Sequence, residues 1–252
     1  MIKGFFFDQD GVIIDTERDG HRVAFNRTFK EFGFEVEWDV ETYHHLLQIS
    51  GGKERMRHHL HEKGFGKPVV PEGEDELIKN LHKRKTDLFI ELIESDSLQL
   101  RPGIKRFMQE VNDRNLVLGI CTTSNERAAK AIAYNILSDV RFDFVFAGDI
   151  VKKKKPDPAI YLLALEKSGL KAEQCVVIED SHNGVKAAKA AGMHVVATTN
   201  LYTEREDLSE ADLVISCLGD SAGEKGALTR SNRKLSFDGV LRVQQLIEYF
   251  NG

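Results

Sequence analysis

Residues able to bind metal ions and phosphate follow four short apolar stretches of this sequence. Each stretch is followed closely by carboxylates, hydroxyls or a lysine. In chain order, these residues are Asp8 and Asp10; Thr122, Thr123 and Ser124; Asp149 and Lys155; and Glu179 and Asp180. If the fold brings the four ends together, acids, hydroxyls and an ammonium group share a single site.

Carboxylates at such a site require a compensating positive charge. Like charges placed close together raise each other's pKa, and a hard divalent cation relieves their repulsion. Mg²⁺ prefers oxygen ligands, whereas hydroxyls and a lysine suit a phosphate group. One carboxylate could act as a nucleophile that forms an acyl phosphate, while a second protonates the leaving oxygen and later activates water. The residue types therefore indicate metal-assisted phosphoryl transfer.

The apolar stretches are typical of strands, and helical patterns lie between most of them. This alternation predicts an α/β fold with an open parallel sheet, whose right-handed crossovers place the strand ends at one edge. Ligands of such folds bind outside that edge. The predicted strands cover residues 4–7, 116–121, 142–146, 175–178, 194–197 and 213–215.

One long segment interrupts the alternation of strands and helices. Residues 16–95 are typical of consecutive helices without a strand, so we predict an inserted helical cap domain there. The α/β catalytic core is then assigned to residues 1–15 and 96–252. A polar stretch rich in Gly, Ser, Lys and Arg, 219–236, is interpreted as an exposed loop.

Composition and charge exclude several classes of protein. The chain has 252 residues, 41% of them hydrophobic, and a formal net charge of -5, which indicates a folded protein without nucleic-acid binding. No apolar run approaches the roughly 20 residues of a membrane span, and no signal-peptide pattern precedes the first strand. The three cysteines form no CxxC pair, which fits a reducing compartment. We therefore expect a cytoplasmic monomer without a membrane or nucleic-acid partner.

Four motifs resemble those of the haloacid dehalogenase-type phosphatases. The first motif of that family, DxDG followed by Thr or Val, is similar to FFFDQDGVIIDTE. The second, third and fourth are similar to ICTTS, KKKKPDPAIY and VVIEDSHNG, and all four occur in the order of the family. The resemblance implies a Rossmann-like core with a small helical cap, inserted after the first motif, that closes over the substrate.

The same resemblance implies a role for each matching residue. Asp8 would be the phosphoryl-accepting nucleophile, and Asp10 the general acid and base that also lends its backbone carbonyl to the metal. Glu179 and Asp180 would complete the Mg²⁺ site. The residues that would contact and neutralise the phosphate are Thr122, Thr123, Ser124 and Lys155.

A closer resemblance, extending to about residue 202, is to the CbbY-type sugar phosphatases. The stretches SGGKERMRHHL, HKRKTDLF and LRPGI carry it. These enzymes act on xylulose 1,5-bisphosphate, which inhibits Rubisco, so a small phosphorylated sugar is the implied substrate. The cap residues implied in substrate binding are Glu17, Gly51, Gly52, Lys53 and Lys85. The stretch TERDGHRVAFN holds one residue more than the family spacing before its histidine, which leaves the orientation of Glu17 relative to His21 open.

Two alternative functions share these motifs. A β-phosphoglucomutase-like isomerase would use the same aspartate and return the phosphoryl group to another hydroxyl. The core motifs do not separate this isomerase from a phosphatase, although the cap stretch GGKER favours the phosphatase. A non-catalytic phosphosugar sensor is the third possibility, and it would have no need for Asp8 as a nucleophile.

Overall fold

The computed structural model describes residues 1–49, 51–66, 73–95, 98–148 and 150–252. Contacts among these residues divide the chain into two compact units. The sheet unit comprises Met1–Asp15 and Gln99–Gly252, and the helical unit comprises Thr16–Leu98. The functions of the two segments as catalytic core and cap stay predictions.

Strands of the sheet unit form one mixed sheet. In chain order they are β1 (Gly4–Phe7), β2 (Val117–Cys121), β3 (Phe144–Phe146), β4 (Cys175–Glu179), β5 (His194–Thr198), β6 (Leu213–Ile215) and β7 (Leu228–Ser231). Their order across the sheet is β3-β2-β1-β4-β5-β6-β7, and every pair is parallel except β6 with β7. The predicted α/β fold with an open, mainly parallel sheet is therefore confirmed.

Helices of both units follow the chain in this order. They are α1 (Arg22–Glu31), α2 (Val40–Leu47), α3 (Gly52–Lys63), α4 (Glu74–Glu94), α5 (Ile104–Asp113), α6 (Glu126–Ala131), α7 (Ala159–Ser168), α8 (His182–Ala190) and α9 (Val243–Asn251). Within the described ranges, no helix combines the length and the apolar character that crossing a membrane requires.

The central strand β1 is buried on both faces. Its sequence GFFF is an unbroken apolar run, as expected for a strand covered on both sides. Phe5 packs edge-on against Phe107 of α5 at a centroid distance of 5.4 Å, and Phe6 packs against Phe144 at 5.3 Å. Buried aromatic contacts therefore fix the strand that carries the first motif.

The register of β1 aligns three strand ends. Phe7, its last residue, pairs with Ile120 of β2 on one side and with Ile178 of β4 on the other. Because these strands are parallel, the residues that follow them lie side by side at the same edge of the sheet.

The segment 219–236, which we predicted to be an exposed loop, contains a strand. Residues Leu228–Ser231 form the edge strand β7, which pairs antiparallel with β6. The strand shows no apolar alternation, since its side chains are exposed or half-buried. Arg230 anchors it by donating to the carbonyls of Leu208 and Ala211. The strand therefore depends on backbone pairing and on this guanidinium group.

The helical unit packs around an aromatic cluster. Trp38 is completely buried, with ring centroids 4.7 Å from Phe25 and 4.9 Å from Phe29 of α1. Asp39 then caps α2, because its carboxylate accepts the backbone N–H of Thr42 at 2.7 Å.

A π-helical turn, Glu17–His21, precedes α1. A π-turn contains one more residue than an α-turn, so it accommodates the additional residue noted in TERDGHRVAFN. Gly20 lies in this turn against the ring of Phe89 from α4, and a Cβ atom at Gly20 would come within 2.5 Å of that ring. The turn therefore requires glycine at this position.

Candidate active site

Three adjacent strands carry predicted site residues to one edge of the sheet unit. Asp8 follows β1, Thr122 follows β2, Glu179 ends β4 and Asp180 follows it. The strands β2, β1 and β4 are neighbours in that order, so these side chains belong to the same edge. Asp149, predicted at the end of β3, lies outside the described residues.

Lys155 lies between two of the carboxylates. Its ammonium group is 2.5 Å from Asp8 Oδ1 and 2.6 Å from Glu179 Oε1, and it donates to the carbonyl of Cys121 at 3.0 Å. Only 8% of the Lys155 side chain is exposed. Because Coulomb interactions are strong away from water, this ammonium group offsets much of the local negative charge.

Glu179 is held by donors of the protein on both of its oxygens. The hydroxyl of Tyr161 donates to Oε1 at 2.5 Å, and the backbone N–H of Asp180 donates to Oε2 at 3.2 Å. Gly184 at the start of α8 leaves space for this carboxylate, which a Cβ atom at that position would overlap. Glu179 is therefore fixed in position as the partner of Lys155.

Asp180 is buried against the loop that follows β1. Its Oδ2 accepts the side-chain N–H of Asn200 at 2.7 Å. Gly11 has a φ of +77° and approaches so closely that a Cβ atom there would overlap the Asp180 carboxylate. The positive φ and the close approach both require glycine at this position of the DQDG motif.

Asp10 is joined to the end of β2. Its Oδ2 accepts a hydrogen bond from the hydroxyl of Ser124. The backbone N–H of Ser124 in turn donates to Thr122 Oγ1 at 3.1 Å, and Thr123 between them is half-buried. The structure therefore brings the predicted acid and base together with the predicted phosphate-binding hydroxyls.

Burial dominates the electrostatics of the site. Burial, only partly offset by Lys155, raises the pKa of Asp8 to about 8, and the charges of Glu179 and Asp10 contribute to this. Burial likewise raises the pKa of Asp180 well above its usual range, together with the charges of Glu179 and Asp8. Burial alone would lower the pKa of Lys155, but the carboxylates of Asp8 and Glu179 outweigh it and raise that pKa.

Asp8, Glu179 and Asp180 form a cluster that could hold a metal ion. One carboxylate oxygen of each lies within 4.8 Å of the other two, and this is the only such group in the described part of the chain. When all three carboxyl groups are ionised, they face the single ammonium group of Lys155, and negative charge is then in excess. An all-oxygen donor set with excess negative charge fits a hard divalent cation. The carboxylate of Asp10 is not a member of this cluster.

Glu17, one of the predicted substrate-binding residues, lies in a polar group of the helical unit. Its Oε2 accepts the hydroxyl of Tyr43 at 2.5 Å and lies 3.8 Å from the guanidinium of Arg55. Arg55 also donates to the Tyr43 hydroxyl at 3.2 Å. The orientation of Glu17, open from the sequence, is thus defined by contacts with α2 and α3.

Lys85 is a buried cation of the helical unit. Its ammonium group is 2.7 Å from His21 Nδ1 and lies over the rings of Phe25 and Phe89. Burial lowers the pKa of His21 well below its usual value, and the positive charges of Lys85 and Arg55 contribute. A neutral His21 can accept the hydrogen bond that Lys85 donates.

The other substrate-binding residues predicted in the cap lie at the start of α3, and they are Gly51, Gly52 and Lys53. Gly51 has a φ of +97°, and a Cβ atom at Gly52 would lie 3.1 Å from the ring of His82. Lys53 is exposed, and it contributes, after burial and Lys85, to a lowering of the His82 pKa to about 4. Lys53 and Lys85 therefore both place positive charge near His82.

Sequence reasoning missed three residues that hold the site together. Tyr161 stands at the end of KKKKPDPAIY, and Asn200 follows β5. The strand-end rule, applied to β5, could have found Asn200. Arg101 lies in LRPGI, a stretch that carries the closer resemblance but implied no role for this residue. Its guanidinium joins three loops by donating to the carbonyls of Gly11, Thr199 and Ser216.

Comparisons with known proteins agree with this fold. The family model of the haloacid dehalogenase-like hydrolases matches residues 2–192. A "CBBY-like protein" of Arabidopsis thaliana is 47% identical over 227 residues, with 88% of this chain and 71% of that protein covered. "Protein CbbY" of Cereibacter sphaeroides is 36% identical over 230 residues, with 90% and 96% covered.

A solved structure is also similar to this chain. The crystal structure of a CbbY variant from Rhodobacter sphaeroides in complex with xylulose-(1,5)bisphosphate has a TM-score of 0.74 to this chain at 35% identity. The match covers 88% of this chain and 98% of the other. The chain therefore belongs to the haloacid dehalogenase-like hydrolases, and it is a phosphatase similar to the CbbY proteins.

Proposed function

We propose that this protein is a Mg²⁺-dependent phosphatase that hydrolyses a small phosphorylated sugar through an aspartyl-phosphate intermediate. The observation that carries the proposal is the convergence of Asp8, Lys155 and Asp180 in one buried site. Lys155 bonds to Asp8 at 2.5 Å, and the oxygens of Asp8 and Asp180 lie within the 4.8 Å cluster.

Asp8 and Asp180 would hold the cation, together with Glu179 and the backbone carbonyl of Asp10. The excess of negative charge over Lys155, and the raised pKa values of Asp8 and Asp180, favour a divalent cation at this position. When bound, Mg²⁺ supplies positive charge that stabilises the transferring phosphoryl group and keeps the carboxylates ionised.

Asp8 would act as the nucleophile. Lys155 occupies its Oδ1, so Oδ2 is the oxygen that attacks phosphorus while the bond from phosphorus to the sugar oxygen breaks. The leaving oxygen takes a proton from the Asp10 carboxyl. In the second half of the reaction, Asp10 removes a proton from a water molecule that attacks the phosphorus atom. The bond between phosphorus and the Asp8 oxygen breaks, which releases phosphate and regenerates the Asp8 carboxylate.

Other residues of the sheet unit would bind the phosphate oxygens. Lys155 remains protonated because of its two carboxylate partners, so it can neutralise phosphate charge at neutral pH. Thr122 and Thr123 supply hydroxyl and amide donors at the end of β2. Ser124 orients the carboxyl group of Asp10 by donating to its Oδ2.

Xylulose 1,5-bisphosphate is the substrate that we propose first. The likeness to CbbY proteins over most of the chain supports this choice. We further propose that Glu17, Gly51, Gly52 and Lys53 set selectivity for the sugar, with Lys85 as a second cation. The exposed ammonium group of Lys53 suits a second phosphate, and the carboxylate of Glu17 suits sugar hydroxyls.

A panel of sugar monophosphates and bisphosphates tests this function. Phosphate release is measured with Mg²⁺ and with EDTA, and the products are identified by NMR spectroscopy. We expect release from a phosphosugar only with Mg²⁺, and a loss of at least about 10³-fold in kcat for Asp8→Asn, which lacks the nucleophile. Asp113→Asn on the exposed side of α5 is the matched control and should retain full activity.

The products separate the alternatives. An isomeric sugar phosphate without free phosphate would establish the mutase and contradict hydrolysis. No turnover on any member of the panel, combined with tight binding of one, would favour a phosphosugar sensor. Full activity of Asp8→Asn would contradict the aspartyl-phosphate mechanism.

A further inference from the structure

Asn200, the second residue after β5, contacts the carboxylate of Asp180. Its side-chain Nδ2 donates to Asp180 Oδ2 at 2.7 Å and to the carbonyl of Gly11 at 3.4 Å. Asp180 and Asn200 follow the adjacent parallel strands β4 and β5. The carboxamide thus reaches the acidic cluster from a neighbouring strand end.

The orientation of the carboxamide is fixed by its other atom. Asn200 Oδ1 accepts the backbone N–H of Tyr202 at 2.9 Å and that of Thr203 at 3.2 Å. A carbonyl oxygen accepts such bonds and an amide nitrogen does not, so Nδ2 is the atom that faces Asp180. A flipped carboxamide would place its oxygen against the carboxylate and lose all four of these hydrogen bonds.

Gly11 confines the same carboxylate on another side. A Cβ atom at Gly11 would overlap both Asp180 Oδ2 and Asn200 Nδ2. The guanidinium of Arg101 donates to the carbonyl of Gly11 and to Thr198 Oγ1 at 3.0 Å, which ties this loop to the end of β5. The Asp180 carboxylate therefore lies between the backbone of Gly11, which Arg101 holds in place, and the Asn200 side chain, which donates to its Oδ2.

We propose that Asn200 is a positioning residue that fixes the Asp180 carboxylate for cation binding. The inference rests on the proposed function, because it assigns Asp180 to the Mg²⁺ site. By holding Oδ2, Asn200 leaves Oδ1 to face the cation. It also restricts rotation about the last side-chain torsion of Asp180, which is otherwise soft. Residues that orient metal ligands typically contribute 10–100-fold to metal affinity.

Asn200→Ser isolates the donor to Asp180. The serine hydroxyl can still accept from the backbone of the turn, as serine commonly does, but it is too short to reach Asp180. Thr203→Val is the matched control. It removes the hydroxyl that accepts the Asn200 backbone N–H at 3.1 Å, which loosens the same turn but keeps the carboxamide.

The experiment titrates each metal-free full-length protein with Mg²⁺ alone by calorimetry. We expect Asn200→Ser to bind Mg²⁺ about 10–100-fold more weakly than wild type, and Thr203→Val to bind within about threefold of wild type. Turnover should show a raised KM for Mg²⁺, with kcat largely restored at saturating Mg²⁺. Thermal unfolding in EDTA checks that each variant is folded. If Asn200→Ser is unfolded, Asn200→Thr replaces it, because the threonine hydroxyl can also accept from the backbone of the turn.

Two results would overturn the proposal while leaving the proposed function intact. One is Mg²⁺ affinity of Asn200→Ser equal to that of wild type. The other is an equal loss of affinity in Thr203→Val, which would assign the effect to the turn and not to the carboxamide. Failure of the wild-type protein to bind Mg²⁺ would instead contradict both the inference and the proposed function.

Discussion

The buried ammonium group of Lys155 makes the acidic site compatible with folding. Removing one member of a buried ion pair leaves an uncompensated charge, which typically costs about 3–5 kcal/mol. Asp8 and Glu179 both contact this group, so a Lys155 variant would lose stability as well as the phosphate binding that we propose for it. Asp8→Asn, which keeps the shape of the side chain, is the cleaner probe of the chemistry.

Gln9, between the two aspartates of the first motif, is an unfavourable residue for its environment. It is completely buried, and neither polar atom of its carboxamide has a hydrogen-bond partner among the residues that the structure describes. An unpaired buried polar group typically costs about 1–3 kcal/mol. We therefore expect Gln9→Met, which has a similar volume and no amide, to raise the free energy of unfolding by about 1 kcal/mol or more, as measured by urea denaturation.

The control for this substitution is Gln48→Met on an exposed position of the helical unit. It should change the free energy of unfolding by less than about 0.5 kcal/mol. A less stable Gln9→Met protein would show that the carboxamide is hydrogen-bonded in solution and that the amide stabilises the fold.

At the scale of secondary-structure elements, β7 shows how a strand can form without an apolar pattern. Tyr249 of α9 organises its end, since the phenolic oxygen accepts the backbone N–H groups of Asn232 and Arg233 at 3.0 and 3.1 Å and lies 3.0 Å from Ser231 Oγ. The same hydroxyl donates to the carbonyl of Asp212 at 2.9 Å. A single side chain thus joins β7, α9 and the start of β6.

Tyr249→Phe should loosen this edge of the sheet. Loss of the hydroxyl leaves several partners unpaired, so we expect a local loss of about 1–2 kcal/mol, equivalent to roughly 5–30-fold faster amide exchange in residues 228–233. Hydrogen-exchange mass spectrometry measures the effect. Tyr134→Phe on the exposed part of the sheet unit is the control, and unchanged exchange in Tyr249→Phe would contradict the assigned role.

The sequence predicted elements well where burial imposes a pattern. The predicted strands at 4–7 and 213–215 coincide with β1 and β6, whose residues are buried throughout. The sequence LTRS of β7 has no such pattern, because its stability comes from pairing with β6 and from Arg230. The π-turn before α1 also has no such pattern, because it depends on how Phe89 packs against Gly20.

The site could be predicted in part for the same reason. Parallel strands bring their ends together, so the strand-end rule and the motifs selected Asp8, Lys155 and Asp180, which do lie in one cluster with Glu179. Arg101 and Asn200 act through contacts with Gly11, about 90 and 189 residues away in sequence. Such contacts become visible only when the segments are placed in space.

At the scale of the whole molecule, the acidic cluster links stability to pH and, through the cation that we propose there, to metal. In the metal-free protein the pKa of Asp8 is raised to about 8, whereas an aspartate in the unfolded chain titrates near 4. The folded state therefore retains a proton that the unfolded state releases over this range. The contribution of Asp8 to the free energy of unfolding is present below about pH 4 and is lost as pH rises towards about 8.

We test this contribution by comparing wild type with Asp8→Asn in urea denaturation between pH 5 and about pH 8. In EDTA, the stability of wild type relative to Asp8→Asn should fall as pH rises, and histidines common to both proteins cancel in the difference. In Mg²⁺ the trend should largely disappear, because the cation keeps the carboxylate ionised in the folded state, as it already is in the unfolded state over this pH range. A difference that is independent of pH in EDTA would contradict the raised pKa, and an equal trend in Mg²⁺ and in EDTA would contradict the metal site.

The central position of β1 has a consequence for synthesis on the ribosome. This strand leaves the exit tunnel before its neighbours in the sheet, β2 and β4, which follow the whole helical unit in the chain. At about 5–20 residues per second, the nascent GFFF segment waits on the order of ten seconds before β4 emerges. An unpaired aromatic segment of this kind can bind chaperones or aggregate with other nascent chains. The yield of folded protein in cells should therefore depend on whether chaperones cover this segment until β2 and β4 have emerged.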